Sequence, residues 1–145
     1  MSIHEDFNAI MMKMKSANPK LQLPPKSFTE TKSEVVGYDE KSLSIRFPFD
    51  ERFTNPLGMF QGGMLCTLLD NVYGPLSYMA AQTGTITLDM NCTYIRPFLP
   101  DSKYVTIKAT VVSKSKQLIR MQATVEDAAG KLVATSTTQS LILSA

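Results

Sequence analysis

Gly62 and Gly63 open a run whose apolar residues recur at helical spacing, and eight positions beyond Gly62 the same run carries Asp70. Glycine at a helix start leaves the first, unpaired backbone amides unobstructed, and the helix dipole adds about half a positive charge there. Such an end can hold an oxyanion as it develops on an acyl carbonyl. Asp70 offers the complementary chemistry, a carboxylate that can act as general base or as nucleophile. Eight residues of helix separate the two by about 12 Å along the axis, farther than an aspartate side chain reaches. If both act on one carbonyl carbon, the carboxylate comes from a second chain whose helix runs alongside in the opposite sense, and a symmetric dimer then carries two equivalent sites. Each residue also has a plainer reading. An aspartate in a helix is most often a solvated carboxylate, and a glycine pair is most often a permissive turn.

Thr87 alternates with Asp89, Asn91 and Thr93 on one polar face of a period-two run, a face that meets either solvent or a site. Threonine is equally at home in any strand. Asn55 precedes Pro56, a common way to begin a turn. Cys66 lies one helical turn before Asp70 with no histidine near it in sequence, which argues against a cysteine nucleophile. His4 is the only histidine and cannot make a zinc site without other ligands, so no metal is expected.

The elements that must position these residues are legible as periods. Ser2 and Glu5 form a capping-box pair ahead of Ile3, Phe7, Ile10, Met11 and Met14, which predicts a short amphipathic helix ending at Asn18-Pro19. The stretch through Pro24-Pro25 reads as a loop. Leu43, Ile45, Phe47 and Phe49 share one face of a strand, with Pro48 near its end or on an edge. Leu65, Leu68, Leu69, Val72, Leu76 and Met79 mark one long helix up to about Gln82, where Gly74-Pro75 implies a kink or a close contact. Three alternating runs follow, each with one apolar face: Ile86, Leu88, Met90, Cys92 and Tyr94; then Val105 to Val111; then Ile119 to Val125. A last strand near Leu132 to Leu143 is joined to its neighbour by a turn in which Gly130 supplies positive φ. This order predicts an α+β domain spanning 1–145, an antiparallel sheet packed on one long helix.

Composition agrees with one globular core. Apolar residues make up 43% and charged residues 19%, and a net charge of +2 over 15 basic and 13 acidic side chains gives no field suited to nucleic acid. Met1 to Ser16 lacks the apolar core of a signal peptide, and no segment approaches membrane-spanning length, so a cytoplasmic protein without a membrane partner is expected. Cys66 and Cys92 show no framework spacing and read as reduced, buried thiols.

The segment Asn55-Pro56-Leu57-Gly58-Met59-Phe60-Gln61-Gly62-Gly63, with Asp70 after it, resembles the signature of hotdog-fold acyl-CoA thioesterases of the phenylacetate-pathway (PaaI-like) type. Thr87-Leu88-Asp89-Met90-Asn91, Tyr94-Ile95-Arg96-Pro97 and Gly130-Lys131-Leu132-Val133-Ala134 match in order, so the resemblance covers roughly residues 55–143. It implies a hotdog fold, an antiparallel sheet wrapped around one long central helix. It also implies that Asp70 is the catalytic carboxylate, Gly62 the oxyanion-hole amide, Asn55 the side chain at the thioester and Thr87 the water-positioning hydroxyl. Gln61 stands where that family commonly has histidine.

The implied substrate is an acyl-CoA, whose coenzyme A is part of the substrate rather than a separate cofactor. Its phosphates need cations, and Arg96, Lys103, Lys114, Lys116 and Arg120 flank strand ends or turns, with Gly63 beside the oxyanion amide. Lys114 and Lys116 are the first candidates, although such lysines are most often a solvated turn. The expected assembly is a homodimer, with pairing into a homotetramer as the further step. A non-catalytic acyl-CoA binder or sensor on the same fold is the alternative, kept open by Gln61. Acyl-thioester hydration ranks lower, because it usually pairs an acidic residue with a histidine and His4 is badly placed for that.

Overall fold

The computed structural model describes residues 3–143, the side chains of 3–6 excepted, so the capping pair Ser2 and Glu5 lies outside the described residues. Helix α1 (Ile3–Ala17) is followed by a five-residue helix α2 (Lys26–Glu30) and strands β1 (Glu34–Tyr38) and β2 (Ser42–Pro48). The long helix α3 (Gly62–Ala81) comes next, then β3 (Thr85–Tyr94), β4 (Tyr104–Lys114), β5 (Leu118–Asp127) and β6 (Leu132–Ile142). The six strands form one antiparallel sheet in the order β1-β2-β4-β5-β6-β3, so α3 carries the chain from β2 across to the opposite edge. This is the hotdog arrangement. The turn before β6 is built as expected, with Gly130 at φ 78° and the Asp127 carboxylate accepting from the amides of Ala129 and Lys131.

The sheet wraps α3 because both present apolar faces. Leu65, Leu68, Leu69, Val72 and Leu76 of α3 are buried against Leu43, Ile45, Phe47, Val105, Ile107, Ile119, Met121 and Val125. Each such side chain contributes roughly 1.5–3 kcal/mol when removed from water. At one side α1 adds Phe7 and Met14, Phe7 stacking on Phe28 of α2 at 6.2 Å. Pro48 closes β2, which is an interior strand, so the proline marks an end rather than an edge. Helix α3 is a single 20-residue helix through Gly74-Pro75. It stops at Gln82, whose backbone is left-handed (φ 58°) and whose amide and side chain bond the carbonyls of Tyr78 and Met79.

One expectation is overturned in β3. Thr87 pairs with Ser140 but Asp89 pairs with Gln139, so Leu88 is an extra residue, a β-bulge that shifts the phase of the strand. Upstream of it Thr85 and Thr87 face α3; downstream Met90, Cys92 and Tyr94 do. Ile86 and Leu88, expected on the apolar inner face, are 50% and 53% exposed. Thr87 accordingly does not share the outer face with Asp89, Asn91 and Thr93. Helix α2 and strand β1 were not anticipated from periodicity. Among the described residues no helix is long and apolar enough to cross a membrane.

Candidate active site

The start of α3 is held by the loop before it. Asn55 Oδ1 accepts from the amides of Leu57 and Met59 at 2.9 and 3.1 Å, Gly58 takes φ 78°, and Phe60 is buried against Phe49, Phe53 and Phe98. Asn55 therefore works as a turn former through its oxygen. Phe60 donates its amide to the Phe98 carbonyl and Gln61 donates to Phe53, which pins the chain just before the helix. Gln61 is the N-cap residue, exposed, with no side-chain bond to the helix. The first bond of the helix runs from the Leu65 amide to the Gln61 carbonyl, so the amides of Gly62, Gly63 and Met64 precede any intrahelical acceptor.

Tyr94 was missed as a site residue by the spacing argument, and it lies over this turn. Its hydroxyl donates to the Gly62 carbonyl at 2.6 Å, and with that proton committed it accepts from the Cys66 thiol at 3.3 Å. The Gly62 carbonyl and the Gly63 amide belong to one peptide group, so this bond polarises the Gly63 N–H toward stronger donation. A Cβ at Gly62 would lie 3.0 Å from Cζ and Oη of Tyr94, which gives glycine there a steric reason. Burial, with the Cys66 thiol as a further cause, pushes the Tyr94 hydroxyl well above its ordinary value, so it stays protonated. Burial likewise raises the Cys92 thiol, whose sulfur adjoins Cys66. Both cysteines are free and half-buried rather than fully buried.

A cleft of about 400 Å³ opens here, and Asn55, Gly62, Tyr94 and Arg96 line it with Phe60 and Phe98 behind them. Its lining contains no carboxylate. Asp70 lies two turns farther along α3, exposed, and its Oδ1 accepts from the Thr87 hydroxyl at 3.2 Å. The bulge at Leu88 makes that contact, because it turns Thr87 toward α3 while the rest of β3 keeps its apolar face inward.

The structure thus brings together Asn55, Gly62, Gly63, Gln61 and Arg96 in one place, and Asp70 with Thr87 in another. It does not bring the remaining cations to the cleft within the chain. Lys114 Nζ donates to the Ala80 carbonyl at 2.9 Å, at the far end of α3, where a cation meets the negative end of the helix dipole. Lys116 sits exposed in the β4–β5 turn, and Arg120 projects from the outer sheet face beside Asp89 and Gln139.

Comparison with known proteins places the fold. A family model described as Thioesterase superfamily matches residues 57–134, which is 78 of 145 positions. Acyl-coenzyme A thioesterase 13 of Mus musculus is 28% identical over 89 residues, 60% of this chain; the match spans 62% of that relative's length. PaaI from the phenylacetic acid degradation operon of E. coli superposes with a TM-score of 0.78 at 15% identity, covering 92% of this chain and 96% of that one. Smu.793 from Streptococcus mutans, bound to acetyl CoA, superposes with a TM-score of 0.73 at 16% identity over 86% of this chain and 94% of that one. These structures share the fold, and with more than half its length matched to the family, the chain belongs to the thioesterase superfamily.

Proposed function

We propose that the protein hydrolyses acyl-CoA thioesters at sites completed by two copies of the chain. The observation that carries this reading is the cleft at Gly62, which holds the first amides of α3 and Arg96 but no carboxylate of its own, while Asp70 stands about 12 Å down the same helix. A partner helix antiparallel to α3 would bring its Asp70 and Thr87 to that cleft. The outer edge of β3, unpaired among the described residues, with Ile86 and Leu88 of that strand exposed, supports such a pairing.

In the reaction Asp70 either takes a proton from water as hydroxide adds to the carbonyl carbon, or adds to that carbon itself before water releases the acid. The amides of Gly62 and Gly63 hold the oxyanion, and its collapse expels the coenzyme A thiolate, which then takes up the proton. Thr87 orients the carboxylate or the water. Asn55 presents its amide nitrogen to the thioester while its oxygen holds the loop, and Arg96 meets coenzyme A phosphate. The acetyl CoA bound to the Streptococcus mutans relative is consistent with this ligand class.

The test is thiol release from an acyl-CoA by mixed variants. Asp70→Asn and Gly62→Pro chains are each expected to be at least about a hundredfold impaired. A heterodimer of the two has one site with both defects and one with neither, and should recover about half of wild-type activity. Exchange confirmed by mass with no recovery would abandon the shared site. The second reading, an acyl-CoA binder without turnover, is favoured by one residue: Gln61, exposed at the N-cap where related enzymes commonly have histidine. Tight acyl-CoA binding with no thiol release by the wild type would select it.

A further inference from the structure

A second cleft, of about 410 Å³, lies along α3 beneath the N-terminal strap. Met11, Met14, Leu21 and Leu23 wall it from α1 and the segment after it; Asp70, Gly74 and Tyr78 line it on α3. Asp70, Gly74 and Tyr78 are four residues apart and share one helix face. Gly74 has helical, negative φ, and a Cβ added there would meet nothing within 4 Å. Neither the backbone nor the packing of this chain requires glycine at that position, and glycine inside a helix is markedly less favourable than alanine. What glycine leaves there is room above the helix, in a cleft that begins at the catalytic carboxylate. Met11 and Met14 form part of its wall, unbranched side chains that fit themselves well to a flexible apolar surface.

We propose that this cleft is the acyl subsite, holding a straight aliphatic chain over Gly74 with its thioester carbonyl at Asp70. This rests on the thioesterase reading above and names its substrate class: medium-chain aliphatic acyl-CoAs. From Asp70 to Tyr78 the helix advances about 12 Å. Carbon–carbon bonds of about 1.52 Å carry an extended chain forward by about 1.25 Å each, so the cleft takes about eight to ten carbons. Each methylene moved from water onto these walls raises kcat/KM about three- to fourfold, until the chain passes Tyr78.

The experiment measures kcat/KM by thiol release over straight-chain acyl-CoAs from acetyl to hexadecanoyl, using the full chain. The wild type is expected to climb three- to fourfold per methylene and level off near decanoyl. Gly74→Leu, which fills the floor, is expected to lower the ratio of decanoyl to acetyl kcat/KM at least tenfold. Met11→Trp, which fills the cleft from the strap and leaves α3 unchanged, should lower the same ratio. A flat profile in an active wild type, or an unchanged ratio in both variants, overturns the subsite while leaving the thioesterase reading intact. Loss of self-association by Gly74→Leu in sedimentation also overturns it, because partner side chains would then be the occupant. If the wild type releases no thiol, that reading fails instead. Calorimetric binding then decides the cleft: decanoyl-CoA binding no tighter than acetyl-CoA overturns it, and a preference lost in Met11→Trp sustains it.

Discussion

Replacing Gly62 by alanine tests the oxyanion assignment without removing the amide. The new Cβ would sit 3.0 Å from both Cζ and Oη of Tyr94 and 3.4 Å from Cε1. Non-bonded carbons settle at about 3.5–4.0 Å, so either the ring or the helix start must move by about half an ångström. That shift breaks or bends the 2.6 Å bond from the Tyr94 hydroxyl to the Gly62 carbonyl. For stability the loss of one hydrogen bond, about 0.5–1.5 kcal/mol, is offset by alanine's helix preference of up to about 1 kcal/mol, so Tm should move only a few degrees. Activity should respond more. Misplacing a reacting group by 1 Å costs about a hundredfold, so half that displacement costs about tenfold in kcat/KM. Adding Tyr94→Leu removes the obstructing ring, and the double variant should be no worse than Tyr94→Leu alone, a coupling that a double-mutant cycle reads directly. The assay is thiol release from an acyl-CoA, with a thermal melt beside it. Full activity in Gly62→Ala, or the same tenfold loss in the Tyr94→Leu background, would refute the geometric argument.

Thr87→Val keeps the shape of the side chain but removes the hydroxyl that bonds Asp70 at 3.2 Å, and should lower kcat about tenfold with KM and Tm little changed; an unchanged kcat would leave Thr87 a mere strand former. Lys114→Ala should lower Tm by a few degrees through the lost bond to the Ala80 carbonyl while KM for acyl-CoA keeps its salt dependence, whereas Arg96→Ala should raise KM severalfold and flatten that dependence. A flattened salt dependence in Lys114→Ala instead would return that lysine to the coenzyme A phosphates. The buried Tyr73 hydroxyl and Ser136 do not meet in hydrogen-bond geometry, and burial pushes Tyr73 from 10.0 up to about 12. A raised folded value means the native state keeps its proton longer, so this stability is fully present below about pH 10 and lost as pH rises toward 12. Tyr73→Phe should therefore leave Tm at neutral pH unchanged or higher and reduce its decline between pH 10 and 12; an equal decline would remove Tyr73 as its cause.

Much of the fold was readable because its strongest signals are local. The apolar positions of α3 keep one period from Leu65 to Met79, those of β4 from Val105 to Val111 and those of β5 from Ile119 to Val125, and Gly130 marks its turn by backbone conformation. The unread parts are those where the deciding contact is distant. Ile86-Thr87-Leu88-Asp89 alternates equally well in either phase, and only pairing with Ser140 and Gln139 reveals the inserted residue. Tyr94 meets Gly62 across 32 positions and Lys114 meets Ala80 across 34, so neither contact leaves a mark in spacing. Helix α2 and strand β1, five residues each, are too short for a period to declare itself. The candidate residues themselves were legible through the ordered motif from Asn55 to Asp70. Their division into two groups along α3 followed from helical rise alone.

The two margins of the sheet differ in a way that isotope exchange can read. At one margin β1 is only five residues long and its register slips between Val35 and Gly37, which leaves little straight backbone for another strand to copy. At the other, β3 runs for ten residues, with unbroken register from Asp89 to Tyr94 beyond its bulge at Leu88, and among the described residues only β6 lies beside it, so alternate amides along that stretch face away from β6. In an isolated chain those amides should trade hydrogen for deuterium about as fast as solvent allows, while their alternate neighbours, bonded to β6, remain slow. If two chains pair along β3 as proposed, dilution through the association midpoint would appear as a comb of fast and slow positions from Asp89 to Tyr94, and the concentration at which the comb fades would be the dissociation constant of that pair.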